Sequence, residues 1–164
     1  MNALYKSDKK RNGNCPLYQR WLRAVQNGGG VLIFNKLIYN ITRRLYCVDI
    51  SDRCKIGEGL YIGHPVGITI NHAVVMGKNC NIHKGVTIGQ ENRGQRKGAP
   101  TIGDCVWIGI NSTIVGKITI GDDVLIAPNT YVNCDIPSHS IVFGNPCIVK
   151  HRDNATEGYI NNKV

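Results

Sequence analysis

The sequence predicts a mainly β protein, a parallel β-helix entered from a short basic helical segment. Three observations point to it: an apolar residue at every sixth position, small residues directly after many of these, and net charge confined to the first 46 residues. From Ile50 the apolar series runs through Ile56, Ile62, Ile68, Val74, Cys80 and Val86. After an interruption it resumes in a new frame through Ile102, Ile108, Ile114, Ile120, Ile126 and Val132. Gly57, Gly63, Gly103, Gly109, Gly121 and Ala127 follow members of the series, where a corner asks for a small residue. Each hexad is then one short strand plus a corner, three hexads close a triangular coil of about 18 residues, and coils stack to bury a common core. Counted this way, Ile50, Ile68 and Val86 form one interior column, and Ile102 and Ile120 belong to another. A helix does not fit this stretch, because a six-residue repeat drifts around a helix of about 3.6 residues per turn.

The N-terminal segment, residues 1–46, carries nine Lys or Arg against the single Asp8, a net +8 of the chain's +9. The solenoid, residues 47–150, and the tail, residues 151–164, together carry only +1, so no basic face for nucleic acid is expected. Residues 16–46 read as two short helices around Asn27-Gly28-Gly29-Gly30. In the second, Val31, Phe34, Leu37, Ile38, Ile41 and Leu45 share a face, with Lys36, Asn40 and Arg43 opposite. That face either packs on a trimer and caps the open end of the solenoid, or lies on an anionic membrane through residues 31–46. The polar start, MNALYKSDKKRNGN, lacks the apolar core of a signal peptide, and no apolar run reaches bilayer length.

The seven cysteines are odd in number and form no Cys-x-x-Cys pair, which argues for reduced thiols in a cytoplasm. Cys54 and Cys80 read as core fillers, His139 and His151 as solvated, and His72 and His83 stay open. A zinc site shared between subunits through His64 would need a compact ligand pair that is missing, so no metal is expected. Residues 89–100, GQENRGQRKGAP, break the repeat and read as a mobile projecting loop bearing Arg93, Arg96 and Lys97, a common place for function.

The segments VDISDRCKIGEGLYIGHPVGITIN, VTIGQENRGQ, VWIGINSTIVGKITIG and VFGNPCIVK resemble the hexapeptide acyltransferases. The nearest likeness is to the catalytic domain of serine acetyltransferases and to short relatives in polysaccharide biosynthesis. The resemblance implies a left-handed β-helix, a homotrimer with active sites in the clefts between subunits, and acetyl-CoA lying along the helix under the loop. It also implies His64 as general base and Asp49 as the carboxylate that orients it, with Asp52 an alternative by spacing. A hydroxyl is a poor nucleophile until a base takes its proton, and an imidazole does this well at neutral pH. Pro65 stiffens the chain after the histidine, and Gly63 and Gly67 leave room for substrate.

For acetyl-CoA the resemblance implies main-chain contacts around Gly109, Gly116 and Ala127, with Lys117 and Lys150 as cations for the phosphates. The family's Gly-x-Pro-Ala-Arg is here Gly144-Asn145-Pro146-Cys147-Ile148, without the basic residue. Where serine acetyltransferases place an acid before the histidine this chain has Gly63, and where they place Arg-His after the loop it has Gly98-Ala99. These departures favour a polyhydroxylated acceptor, a sugar of a surface-polysaccharide precursor, over serine, with His83 and the loop cations near it. Serine O-acetylation and a non-catalytic trimeric scaffold are the alternatives. The expected location is cytoplasmic, with the basic helix as a peripheral contact on the inner face of the plasma membrane.

Overall fold

The computed structural model describes residues 2–13, 15–28 and 32–164. From Asp49 the chain winds through three parallel sheets of very short strands. Sheet 1 stacks Asp49–Ile50, Thr69–Ile70, Thr87–Gly89, Thr113–Val115 and Tyr131–Val132. Sheet 2 stacks Lys55–Ile56, Val75–Met76, Thr101–Ile102 and Thr119–Ile120. Sheet 3 stacks Tyr61–Gly63, Asn81–His83, Trp107–Ile108, Val124–Ile126 and Ser140–Phe143, and closes with Ile148–His151 running antiparallel.

All thirteen residues of the apolar series are buried, none above 6% exposure. The columns differ from the sequence count. Ile50 stands under Ile70, Ile88, Ile114 and Val132, not under Ile68 and Val86. Ile102 and Ile120 do share a column, with Ile56 and Met76 below them. The third column is Ile62, Ile82, Ile108, Ile126 and Val142. The step from Ile50 to Ile70 is twenty residues, against eighteen from Ile70 to Ile88, and the two extra residues fall between Ile62 and Ile70. A strand alternates its faces, so the residue two places before each inward one also points inward. Ile68, Val74, Cys80 and Val86 are that second inward series, and a slip of two residues leaves the apolar count undisturbed. The insertion is the His64 corner.

Three helices precede the solenoid: α1 (Ala3–Asn12), α2 (Leu17–Gln26) and α3 (Leu32–Leu45). Both expected helices form, whereas α1 has almost no apolar periodicity to announce it. The first coil would otherwise expose its unpaired carbonyls, an open edge prone to pairing with other chains. Side chains of the helices meet them one by one. Tyr39 donates to Ile50 O, Arg11 to Gly59 O, Gln26 to Cys54 O (3.0 Å) and Arg23 to Ile56 O (2.8 Å). Gln19 and Asn12 both donate to Leu60 O (2.8 Å each). Asp8 and Arg23, each fully buried, pair at 2.7 Å, and Asp8 also accepts from Leu60 N. Two of the nine N-terminal cations, Arg11 and Arg23, are thus interior parts of the cap.

The cap does not use the apolar face read from the sequence. The buried residues of α3 are Tyr39 and Thr42, beside that face, while Phe34, Leu37, Ile41 and Leu45 stay exposed. Val31 lies outside the described residues. The tail returns along the corner between sheets 2 and 3. Asp123 accepts from Ala155 N and Thr156 N (3.0 Å each), Asn81 donates to Tyr159 O (3.1 Å), and Asn79 bonds both N and O of Val164 (3.0 Å each). No helix among the described residues is long and apolar enough to cross a membrane.

Candidate active site

The corner from sheet 3 to sheet 1 normally turns on one left-handed residue per coil: Gly67, Gly85, Asn111 and Asn129. Each donates its N–H to the coil below, as Gly67 does to Cys47 O (2.8 Å) and Gly85 to Val66 O (3.0 Å). The first coil adds a second left-handed residue, His64, at φ 56°. A side chain rarely adopts that backbone, and such residues gather at functional sites. Val66 N–H donates to His64 O (2.7 Å), closing a three-residue turn around Pro65, whose restrained φ suits its centre. The insertion therefore makes a stiff bulge that lifts the exposed imidazole off the regular coil.

Beside His64, Gly63 pairs in register with His83. One residue beyond the paired Ile108, Ile126 and Val142, the same column continues through Gly109, Ala127 and Phe143. Four residues nominated separately from the sequence thus stand in one line rising from the His64 corner. His83 Nδ1 lies 3.0 Å from Ile108 O, and since a carbonyl only accepts, Nδ1 carries the hydrogen. Burial pushes His83 below the usual imidazole range; the bond to Ile108 O opposes this, and nearby His64 adds to it. The neutral ring leaves Nε2 with a free lone pair. A Cβ on Gly63 would sit 2.9 Å from His83 Cδ2, so the glycine is what admits that ring. His83 reaches the site from the same chain as His64, one coil up.

Asp49 pairs in register with Thr69, and its carboxylate is 3.3 Å from Arg43 Nη1 of α3. Asp52 lies at the next corner, 4.0 Å from Lys36 Nζ. Neither carboxylate bonds to His64 among the described residues. The main-chain donors nominated for acetyl-CoA are already used within the solenoid. Gly109 N donates to Ile126 O (2.8 Å), Ala127 N to Val142 O (2.8 Å) and Gly116 N to Gly89 O (3.3 Å). A ligand along this column would meet side chains and carbonyl edges. Lys150 stands at its far end, its Nζ 5.8 Å from the centre of the Phe143 ring.

The loop is a closed hairpin and not a free excursion. Glu91 and Gly98 exchange backbone hydrogen bonds (2.9 Å each), and Arg96 O accepts from Lys117 N (2.8 Å). Arg96 is paired with Glu91 at 3.0 Å, which leaves Arg93, Lys97 and Lys117 as its unpaired cations among the described residues. Gly116 takes φ 94° beneath the hairpin, where a Cβ would meet Glu91 Oε2 at 2.9 Å. The hairpin occupies the corner from sheet 1 to sheet 2, whereas His64 occupies the corner from sheet 3 to sheet 1. Within one chain, sheet 1 separates them.

Cys54 and Cys80 are the expected core fillers, and burial pushes both thiols up to about 12. His139 and His151 are solvent-exposed, each beside an aspartate, at 3.0 Å and 3.4 Å. Among the described residues no cluster of His, Cys, Asp or Glu converges as a metal site. The sequence reading passed over Tyr61 and Trp107, which flank His83 with ring centres 6.0 and 4.7 Å away. The signal was available: each directly precedes an inward isoleucine of sheet 3 and so points outward, on the face that carries His83. A hollow of about 560 Å³ between the tail and Asp104, Asp122 and Asp123 contains none of the nominated residues.

A triangular solenoid with a histidine bulge and a hairpin on another corner is a hexapeptide-repeat architecture. The family Bacterial transferase hexapeptide (six repeats) matches residues 99–134. Serine acetyltransferase of Synechococcus elongatus is 32% identical over 120 residues, 73% of this chain and 49% of its own length. The Helicobacter pylori enzyme of that name is 33% identical over 110 residues, covering 67% and 64%. The chain thus spans about half to two-thirds of the length of these curated relatives. Among solved structures, serine acetyltransferase of Neisseria gonorrhoeae in complex with serine superposes with a TM-score of 0.72 at 29% identity, over 90% of this chain and 66% of that one. A soybean serine acetyltransferase apoenzyme superposes with a TM-score of 0.71 at 27% identity, over 82% and 56%. The chain is thus similar to hexapeptide-repeat acyltransferases, serine acetyltransferases among them.

Proposed function

We propose that the chain is an acetyl-CoA-dependent O-acetyltransferase with His64 as general base and L-serine as the acceptor its relatives favour. The observation that carries this reading is the His64 bulge: an exposed imidazole on a stiff left-handed turn at the foot of the Gly63–His83–Gly109–Ala127 column. The imidazole takes the proton of the acceptor hydroxyl as its oxygen attacks the thioester carbonyl. The tetrahedral intermediate expels the thiolate of coenzyme A, which recovers the proton from the imidazolium. Asp49 steadies that imidazolium once its carboxylate turns from Arg43, and Lys117 and Lys150 are the cations for the phosphates. The working unit is a homotrimer, since hairpin and base sit on different corners and meet only when one copy's hairpin faces another's His64.

A second reading, transfer to a larger glycan hydroxyl, is favoured by Gly63 and Gly98-Ala99. Serine is a zwitterion, and leaving either charge unpaired in a partly dry cleft costs several kcal/mol. In either reading the exposed apolar face of α3 is covered by a neighbouring copy. Thiol release from acetyl-CoA across serine and a panel of hydroxyl acceptors, with product masses, tests the proposal. Serine-dependent release and O-acetylserine are the expected result; no acceptor-dependent release at all would refute it.

A further inference from the structure

Beside His83 lies a hollow of about 350 Å³ that no step above uses. Sheet 3 supplies Tyr61, Asn81, His83 and Trp107, α1 supplies Arg11, and the returning tail supplies Tyr159. The rings form a half-open crescent: Trp107 is 4.7 Å from His83 and 5.1 Å from Tyr159 between ring centres. The walls are braced from behind. Arg11 donates to Asn81 Oδ1 (2.6 Å), to Gly59 O and to Asn161 O (3.3 Å), and Asn81 donates to Tyr159 O (3.1 Å). The only charged side chain in the lining has therefore committed its donors to the protein.

What remains free is mixed and neutral. Among the described residues the hydroxyls of Tyr61 and Tyr159, the indole N–H of Trp107, His83 Nε2 and the side-chain amides of Asn161 and Asn162 have no protein partner. Aromatic faces beside uncharged donors and acceptors, in a volume within the usual range for small-ligand sites, match one chemical class. A pyranose presents apolar C–H faces to stack on rings and hydroxyls around its rim to bond amides and phenols. The ammonium of a zwitterion would find no carboxylate in this lining. We infer that this hollow is a subsite for an uncharged sugar ring, with His83 at its edge towards Gly63 and His64. Its role as an acceptor subsite rests on the acetyl-transfer reading, in its glycan form; occupancy by a sugar does not.

Binding can be read apart from catalysis. Trp21 and Trp107 are the only tryptophans, so in a Trp21→Phe background the emission of Trp107 reports the hollow. This protein would be titrated with methyl glycosides of glucose, galactose, mannose and N-acetylglucosamine, with a nucleoside-diphosphate glucose, and with L-serine. Saturation-transfer NMR would locate the contacted protons. The expected result is saturable perturbation by at least one glycoside, with transfer to its C–H faces. Tyr159→Ala should weaken it about tenfold, the scale of losing one aromatic contact, and Tyr159→Phe should retain it. A glycoside that binds as well as its nucleotide form places recognition in the sugar; a nucleotide form that binds alone overturns the proposal. So does the absence of any glycoside binding, equal binding to Tyr159→Ala with an unchanged melting point, or perturbation of Trp107 by L-serine alone. Thiol release with serine in the same proteins separates the two readings: it can persist with no sugar bound, or be absent while a sugar binds.

Discussion

His64 shares a left-handed backbone with His139, but among the described histidines it alone sits in an insertion to the repeat. Two residues outside the repeat and a closed turn at Pro65 give it a left-handed conformation with no counterpart in the coils above. Replacing it with alanine should lower turnover by roughly 10² to 10⁴, the usual worth of a positioned base, while the melting temperature stays near wild type. Steady-state thiol release checks this, and near-wild-type turnover would remove the assignment. Gly63 makes a second residue-scale case. Its substitution by alanine drives a methyl to 2.9 Å from His83 Cδ2, so the ring must move. Gly63→Ala should reduce turnover several-fold, and adding His83→Ala should cause little further loss, because both act on one space. A double-mutant cycle on kcat/KM measures that coupling; strictly additive effects would mean that the pair is not coupled.

At the scale of elements, the cap and the corners govern stability. The Asp8–Arg23 pair is fully buried and joins α1 and α2 to the first coil. Removing one partner strands the other charge, so Asp8→Ala should destabilise by about 3–5 kcal/mol, read from urea unfolding. A loss below about 1 kcal/mol would place the pair in water, where such pairs contribute little. At the corner leading from sheet 2, a Cβ on Gly103 would lie 2.9 Å from the backbone of Gly121 in the next coil. Gly103→Ala should cost about 1–3 kcal/mol by overpacking, and it should leave the reaction's pH profile unchanged.

For the whole molecule, the separation of hairpin and base by sheet 1 leads to a complementation test. A chain carrying His64→Ala and a chain with its hairpin shortened across residues 91–97 should each be nearly inactive alone. Mixed and reassembled, they should recover part of the activity, since some clefts then pair an intact hairpin with an intact base. Light scattering should report three copies for each chain and for the mixture. A fully active monomer, or a mixture no more active than its parts, would show that the site is complete within one chain.

The solenoid was legible because its six-residue period reflects the geometry of strand and corner, which local sequence controls. The same held for α2, α3 and the burial of Cys54 and Cys80, where one apolar position implies the next. The column register was not legible past His64. Alternate residues share the inner face, so an insertion of two preserves the pattern while shifting the stack, and only the inter-coil hydrogen bonds place Ile70 above Ile50. Nor could composition tell buried cations from exposed ones: Arg11 and Arg23 count toward a basic segment, yet they serve carbonyls of the first coil. His64 was named from its local motif, but His83, paired with the adjacent Gly63, comes from the next coil, and the rings that follow it, Trp107 and Tyr159, come from farther along the chain. Local pattern determined the coil and singled out His64. Tertiary stacking alone decided what stands beside that corner, because contacts across coils depend on register and on a returning tail that no short-range rule encodes.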